Sequence, residues 1–345
     1  MIPASHHCLF VHSWSKSGSP KALERTADVF QRMCEMYKSG NKDAQPNFVS
    51  FVTLIDAIVK SGERGAAQRA EDVLRQMYIQ YEDGNADVKP NARLITSVME
   101  CWARSGARNA GEKAEALLHW MISAYASEDD ASYKPNEIAF NAGKNDRLNL
   151  PRCVAVACLT FSCFGLAINA WSESRVFGKG YRAKTVLQKM IEMYEADTSR
   201  AKPNTFVYTA VLNSCAYAIG DDAEKADAMQ IATTTFDELC NSRYGKPNHV
   251  TYAAYLTACR NLLPAGGTRA ASMTSVFQKC CEDGQVNDLI IRRLESALTK
   301  EQLRELYQSV GLEGGQDMEL SQLPAEWKQN VQERKSTGKR GQRRW

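Results

Sequence analysis

The chain has 345 residues, 44% of them hydrophobic, which is enough for a substantial core, while its apolar runs are too short and interrupted to span a membrane. Its eleven cysteines are dispersed and form no Cys-x-x-Cys pair, a usage that reads as reduced, intracellular thiol rather than a disulfide framework. The net charge of +3 conceals an asymmetry: residues 328–345 hold seven bases against one acid, so residues 1–327 carry −3 and lack the basic excess expected of a nucleic-acid binder.

Along the chain a Pro-Asn pair recurs at Pro46-Asn47, Pro90-Asn91, Pro135-Asn136, Pro203-Asn204 and Pro247-Asn248, at intervals of 44, 45, 68 and 44. Other columns move with it. Met33, Met77, Met121 and Met190 each have an apolar pair three and four residues before, a small residue (Thr26, Ala70, Ala114, Ala183) seven before and a tyrosine (Tyr37, Tyr81, Tyr125, Tyr194) four after. These offsets trace one face of a 3.6-residue helix, so the Met and Tyr columns are expected in the core, and the small residue admits a neighbouring helix. Each Pro-Asn opens another helix, with Asn suited to cap its first turn. That helix ends at a break such as Lys60-Ser61-Gly62 or Arg104-Ser105-Gly106. A unit is therefore helix, Ser-Gly turn, helix, polar loop. One such hairpin cannot bury both its faces, but a stack can, which predicts an all-α fold: an α-solenoid, a right-handed superhelix of antiparallel helix-turn-helix repeats.

The array is expected over residues 1–285 in about six units. The first is shortened, because aligning Lys16-Ser17-Gly18 with the later breaks places Cys8 opposite Val52; the expectation is that Met1 is not the true start and that targeting cannot be judged from this end. The long fourth interval marks residues 141–164 as an insertion, since Gly165-Leu-Ala-Ile-Asn-Ala-Trp171 resumes the helix where Val52-Thr-Leu-Ile-Asp-Ala-Ile58 would place it. The segment is either functional or a mis-spliced or mistranslated stretch, and the second is favoured. Its Cys153, Cys158 and Cys163 lie five apart, which is not a metal-ligand spacing. Residues 286–327 are amphipathic and suit a helical end cap, and residues 328–345 read as a basic, disordered tail able to contact phosphate.

Catalytic patterns are missing. His6, His7, His12, His119 and His249 stand in no His-x-Glu or His-Glu-x-x-His setting, Gly178-Lys179-Gly180 is too short for a phosphate loop, and adjacent Cys280-Cys281 cannot readily chelate one metal from a helix. The expectation is a non-enzymatic protein with no cofactor, no metal and no small-molecule substrate.

These columns resemble the pentatricopeptide repeat family. Its units open just after Lys-Pro-Asp or Lys-Pro-Asn, carry a Tyr-Asn-Thr-Leu-Ile type core, break at Gly and end in Phe-x-x-Met. Lys89-Pro90-Asn91, Lys134-Pro135-Asn136, Lys202-Pro203-Asn204 and Lys246-Pro247-Asn248 match the boundary, and Phe51-Val-Thr-Leu-Ile55 and Phe236-Asp-Glu-Leu239 match the helices. The likeness covers residues 7–280, with units longer than the family's; tetratricopeptide and HEAT-type arrays lack the Lys-Pro-Asn boundary. The resemblance implies a base-reading code in which a residue five past each Pro-Asn and the Asn closing the unit face one nucleotide. Here those are Val52 with Asn91, Thr96 with Asn136, Asn141 with Asn204, and Thr209 with Asn248, while Ala253 has no closing partner. Thr with Asn resembles the family's adenine reader, Asn with Asn its pyrimidine reader. Residues two past the Asn sandwich the bases in the family: here Val49, Arg93, Ile138, Phe206 and Val250. Each Asn could equally be a helix cap and nothing more. The resemblance points to sequence-selective binding of single-stranded RNA, an organellar transcript in mitochondrion or plastid, with protein partners as well. The competing class is a protein–protein interaction scaffold, which the −3 body favours.

Overall fold

The computed structural model describes residues 22–128, 161–199, 201–312 and 323–331, and these are all-α, with no strand among them. In chain order the helices are α1 (Ala22–Lys38), α2 (Phe48–Ser61), α3 (Ala66–Glu82), α4 (Ala92–Arg104), α5 (Ala110–Glu128), α6 (Phe161–Glu173), α7 (Lys179–Glu195), α8 (Thr205–Ala216), α9 (Asp222–Asn241), α10 (His249–Leu262), α11 (Gly267–Glu282), α12 (Asp288–Glu295) and α13 (Lys300–Ser309). Short 3-10 turns occupy Lys42–Ala44, Ala86–Val88 and Ala325–Lys328.

Local chemistry sets the helix ends. Asn47 Oδ1 accepts from Ser50 N at 3.1 Å while Ser50 Oγ accepts from Asn47 N at 2.9 Å, a reciprocal capping box, and Asn248 with Thr251 does the same at 3.0 and 3.4 Å. Asn91 and Asn204 cap α4 and α8 through their side-chain oxygens. At the other end, Ser61, Ser105 and Ser174 each donate to the carbonyl three residues back at 2.7 Å. Gly62 and Gly106 then turn the chain at φ 62° and 61°, the left-handed conformation glycine adopts without steric cost.

The helices pack in two series. The even-numbered helices from α2 to α12 each touch the next even-numbered one, and each odd-numbered helix from α1 to α9 packs on the even-numbered helix that follows it. The Met column is buried throughout, and Thr26, Ala70, Ala114 and Ala183 are fully enclosed. The Tyr column departs from expectation. Tyr37 is exposed, Tyr81 and Tyr194 are half-buried, and the side chain of Tyr125 is outside the described residues. The rings of Tyr81 and Tyr194 sit where the second helix runs out and meet the loop that follows: Tyr81 lies 5.2 Å from Lys89 Nζ, and Tyr194 meets Tyr244 edge-on at 5.8 Å.

Successive pairs interlock through a contact that sequence reading missed. Trp102 Nε1 on α4 donates to Glu71 on α3 at 2.9 Å, and Trp171 Nε1 on α6 donates to Glu115 on α5 at 2.8 Å. Both carboxylates are buried, and Glu71 also holds Lys113 Nζ at 2.8 Å, so neither donor nor charge is stranded. Room for the incoming side chain comes from a small residue, Ala67 under Trp102 and glycine at the next two interfaces: a Cβ added at Gly111 would stand 2.5 Å from the Trp171 ring, and one at Gly180 would stand 2.9 Å from Cys215 Sγ.

Two boundaries move. Helix α6 begins at Phe161, with Cys163 and Phe164 fully buried, so residues 161–164 belong to the packed helix and not to the insertion inferred over 141–164. They hold the register of Ala92, Leu94 and Ile95 in α4, a helical pattern masked by the apolar run before it. The start of the insertion, with Asn141, Cys153 and Cys158, lies outside the described residues, as do residues 1–21. The stretch expected to be a generic end cap opens as the units do: Asn287 Oδ1 caps α12 from Ile290 N at 3.2 Å, and α12 packs on α10. Val286 stands where the others have proline, and its extra N–H is satisfied by Trp327 O at 2.8 Å. Packing also continues past residue 327, since Asn330 N donates to Gly284 O at 3.0 Å. Residues 332–345 of the basic tail lie outside the described residues.

The glycine seat gives a first test. Gly111→Ala is expected to lower stability by about 1–3 kcal/mol through overpacking in urea melts followed by circular dichroism. Gly267→Ala, where an added Cβ meets nothing within 4 Å, is expected to be neutral or stabilising. Equal losses would remove the close approach from the account.

Candidate nucleic-acid interface

The first turns of α2, α4, α8, α10 and α12 share one feature. Two residues after the capping Asn, the side chain faces solvent: Val49 on α2, Arg93 on α4, Phe206 on α8 at 57% exposure and Val250 on α10. Leu289 on α12 follows Asn287 in the same way. A single exposed apolar side chain needs no explanation. Its return at one position in helices that pack in series makes a row along one edge of the layer. A Cβ built on Gly165 would lie 3.7 Å from the Phe206 ring, so that ring spans toward the preceding helix rather than standing alone.

Beside this row stand the capping asparagines. In Asn91, Asn204, Asn248 and Asn287 the side-chain oxygen is bound by backbone N–H groups at 2.9 to 3.4 Å. The network therefore fixes each amide with its nitrogen outward, and among the described residues no acceptor meets those Nδ2 groups. Capping consumes the oxygen alone; in these four units two N–H donors remain for a ligand. Lysine precedes proline at Lys89, Lys202 and Lys246, adding positive charge along this edge, although Asp87, Asp197 and Asp283 lie in the loops that lead into it.

The fifth-position row is placed differently from the second. Val52 is half-buried, Ala253 is buried, and Thr96 and Thr209 retain 7% exposure each. Thr96 Oγ1 donates to Ala92 O at 2.7 Å and lies 3.4 Å from Cys163 Sγ; Thr209 Oγ1 donates to Thr205 O at 2.8 Å and lies 2.8 Å from Thr251 Oγ1. These hydroxyls sit at the seam between adjacent even-numbered helices and are engaged there. Asn136, Ile138 and Asn141 lie outside the described residues, and the register of Trp171 against Trp102 puts Gly165 on α6 at the fifth place. Asn287 and Leu289 went unrecognised in the sequence because valine replaces the marker proline; the signal available was an Asn just before an amphipathic run.

Other chemistry is sparse. Among the described residues no three His, Cys, Asp or Glu side chains converge as a metal site would need, and no helix is long and apolar enough to cross a membrane. Burial pushes the Cys215 and Cys259 thiols up to about 12, so they are protonated packing groups rather than nucleophiles. No protein-family model matches the chain, and no curated protein matches it.

The two roles of the asparagines separate by substitution. Asn204→Ala removes the α8 cap and is expected to cost about 1 kcal/mol in a urea melt. Asn204→Asp keeps an oxygen for Phe206 N and Val207 N and is expected to leave the midpoint unchanged. A loss with Asp as large as with Ala would show that the amide nitrogen has a structural partner.

Proposed function

We propose that the chain is a pentatricopeptide-like α-solenoid that binds single-stranded RNA along the capped edge of its even-numbered helices, acting on an organellar transcript in its processing, stability or translation. The observation that carries this reading is the recurrence, at the first turns of α4, α8 and α10, of an asparagine amide with unused N–H donors beside an exposed side chain. Unstacked bases offer an apolar face and an edge bearing acceptors, and this pair of groups answers both. The bases lie against Val49, Arg93, Phe206 and Val250. Asn91, Asn136, Asn204 and Asn248 supply the edge contacts. Val52, Thr96 and Thr209 complete the pairs implied by the family code, Gly165 taking the fifth place of α6 that the sequence pattern had given to Asn141, with the two threonine hydroxyls reaching a base only by exchanging their present partners.

A scaffold for a protein ligand is the second reading, favoured by the net −3 of residues 1–327. Fluorescence anisotropy with short labelled strands discriminates between the two. The RNA reading expects single strands to bind in preference to duplex. Phe206→Ala and Val250→Ala should each weaken binding, by about 1–3 kcal/mol where stacking is lost, without moving the melting temperature. Asn248→Asp should change which base is preferred at one position while affinity for the favoured strand persists. Failure of every single strand to bind would leave the scaffold reading in its place.

A further inference from the structure

Opposite the capped edge, the turns that join the helices of two neighbouring pairs carry four exposed apolar side chains. Phe177 and Tyr181, at the α6–α7 turn, are 67% and 65% exposed, and Tyr217 and Ile219, at the α8–α9 turn, are 51% and 43% exposed. The two turns touch. Gly178 N donates to Glu224 at 2.8 Å, and the Phe177 ring lies so close to Gly220 that an added Cβ would be 2.8 Å away. The chain supplies its own control for this surface. In the two preceding pairs the place of Phe177 is taken by Arg64 and Arg108, that of Tyr181 by Gln68 and Glu112, and that of Tyr217 by Lys60 and Arg104, all exposed. The turns therefore need no aromatic group for folding, and in these two preceding pairs the same positions are solvated and polar.

The rim of this patch is acidic. Glu173, Asp221, Asp222 and Asp227 are exposed, against Arg175 and Lys225, and Lys225 is already paired with Asp222 at 3.0 Å. Between α7 and α9 a cleft of about 430 Å³ is walled by the Tyr181 ring and Ile231, with Glu224, Asp227 and Lys184 among its polar groups, the lysine being engaged by Glu238. An aromatic face beside carboxylates suits a guanidinium, which stacks on the ring and donates to the acids through one planar group. RNA phosphate would meet repulsion here. We propose that this surface docks a basic, arginine-bearing segment of a partner protein, with one arginine entering the Tyr181 cleft and an apolar side chain covering Phe177 and Ile219. The placement is independent of what the capped edge binds and leaves that edge open.

Isothermal titration of the full chain with a synthetic peptide alternating arginine and tryptophan tests the proposal, with a control peptide in which glutamate replaces arginine. Binding of the arginine peptide alone is expected. Phe177→Ser combined with Tyr181→Ser should weaken it at least about tenfold, as loss of central aromatic contacts does, and Asp227→Asn should weaken it and flatten its salt dependence. The melting temperature of each variant, whose changed residues are exposed, should stay at the wild-type value. Absence of binding, equal binding by wild type and variants, or equal binding of the glutamate peptide would overturn the proposal. So would a parallel fall in affinity for single-stranded RNA, which would assign the face to nucleic acid.

Discussion

The close seating of each even-numbered helix on the odd-numbered helix before it is the constraint on which the rest of the structure depends. Where Trp171 enters, the helix beneath presents no side chain, since the ring rests on Gly111, and the matching place under Trp102 carries only the methyl of Ala67. The indole N–H would then be buried without a partner, so a carboxylate one turn further on accepts it, and that carboxylate in turn needs a cation, as Glu71 has in Lys113. One steric fact thus requires a chain of polar compensation. Where the next interface uses Cys215 in place of tryptophan, the acceptor disappears and Lys184 stands at the corresponding position, paired instead with Glu238 on α9. The series α2 to α12 follows from this seating, and helices held against their predecessors in one register expose the same first-turn position in α2, α4, α8, α10 and α12.

That register gives the capped edge its character. A helix N-terminus has backbone N–H groups without acceptors, and an asparagine satisfies them with its oxygen. The same geometry fixes the amide nitrogen outward and sets the side chain two residues on into solvent. Capping and ligand contact are thus complementary demands on one residue. Cap-only and base-reading interpretations of the asparagines had looked exclusive when only their recurrence was known.

Much of this was legible in the sequence. The Met column, the small residue seven before it, the Ser-Gly breaks and the Asn caps all depend on local spacing, and the structure buries or bonds them as that spacing implies. What escaped depends on contacts between distant segments. Glu71 and Glu115 read as ordinary surface acids until Trp102 and Trp171 arrive beside them. Tyr81 and Tyr194 share the helical face of the methionines, yet lie at the last turn, where the following loop decides their exposure. Phe161, Cys163 and Phe164 hid within an apolar run, and Asn287 lacked its proline. The threonines at the fifth position were read for their hydroxyls alone; their burial is a property of the neighbouring helix.

The most direct test of the central claim is a photocrosslinking map. A single-stranded RNA carrying 4-thiouridine would be irradiated with the full chain and the attached peptides located by mass spectrometry. The account predicts crosslinks in the first turns of the even-numbered helices, around Val49, Arg93, Phe206 and Val250, and none at the turns bearing Phe177 and Tyr217. Crosslinks confined to the turn side or to the odd-numbered helices, with the capped edge unlabelled, would contradict it.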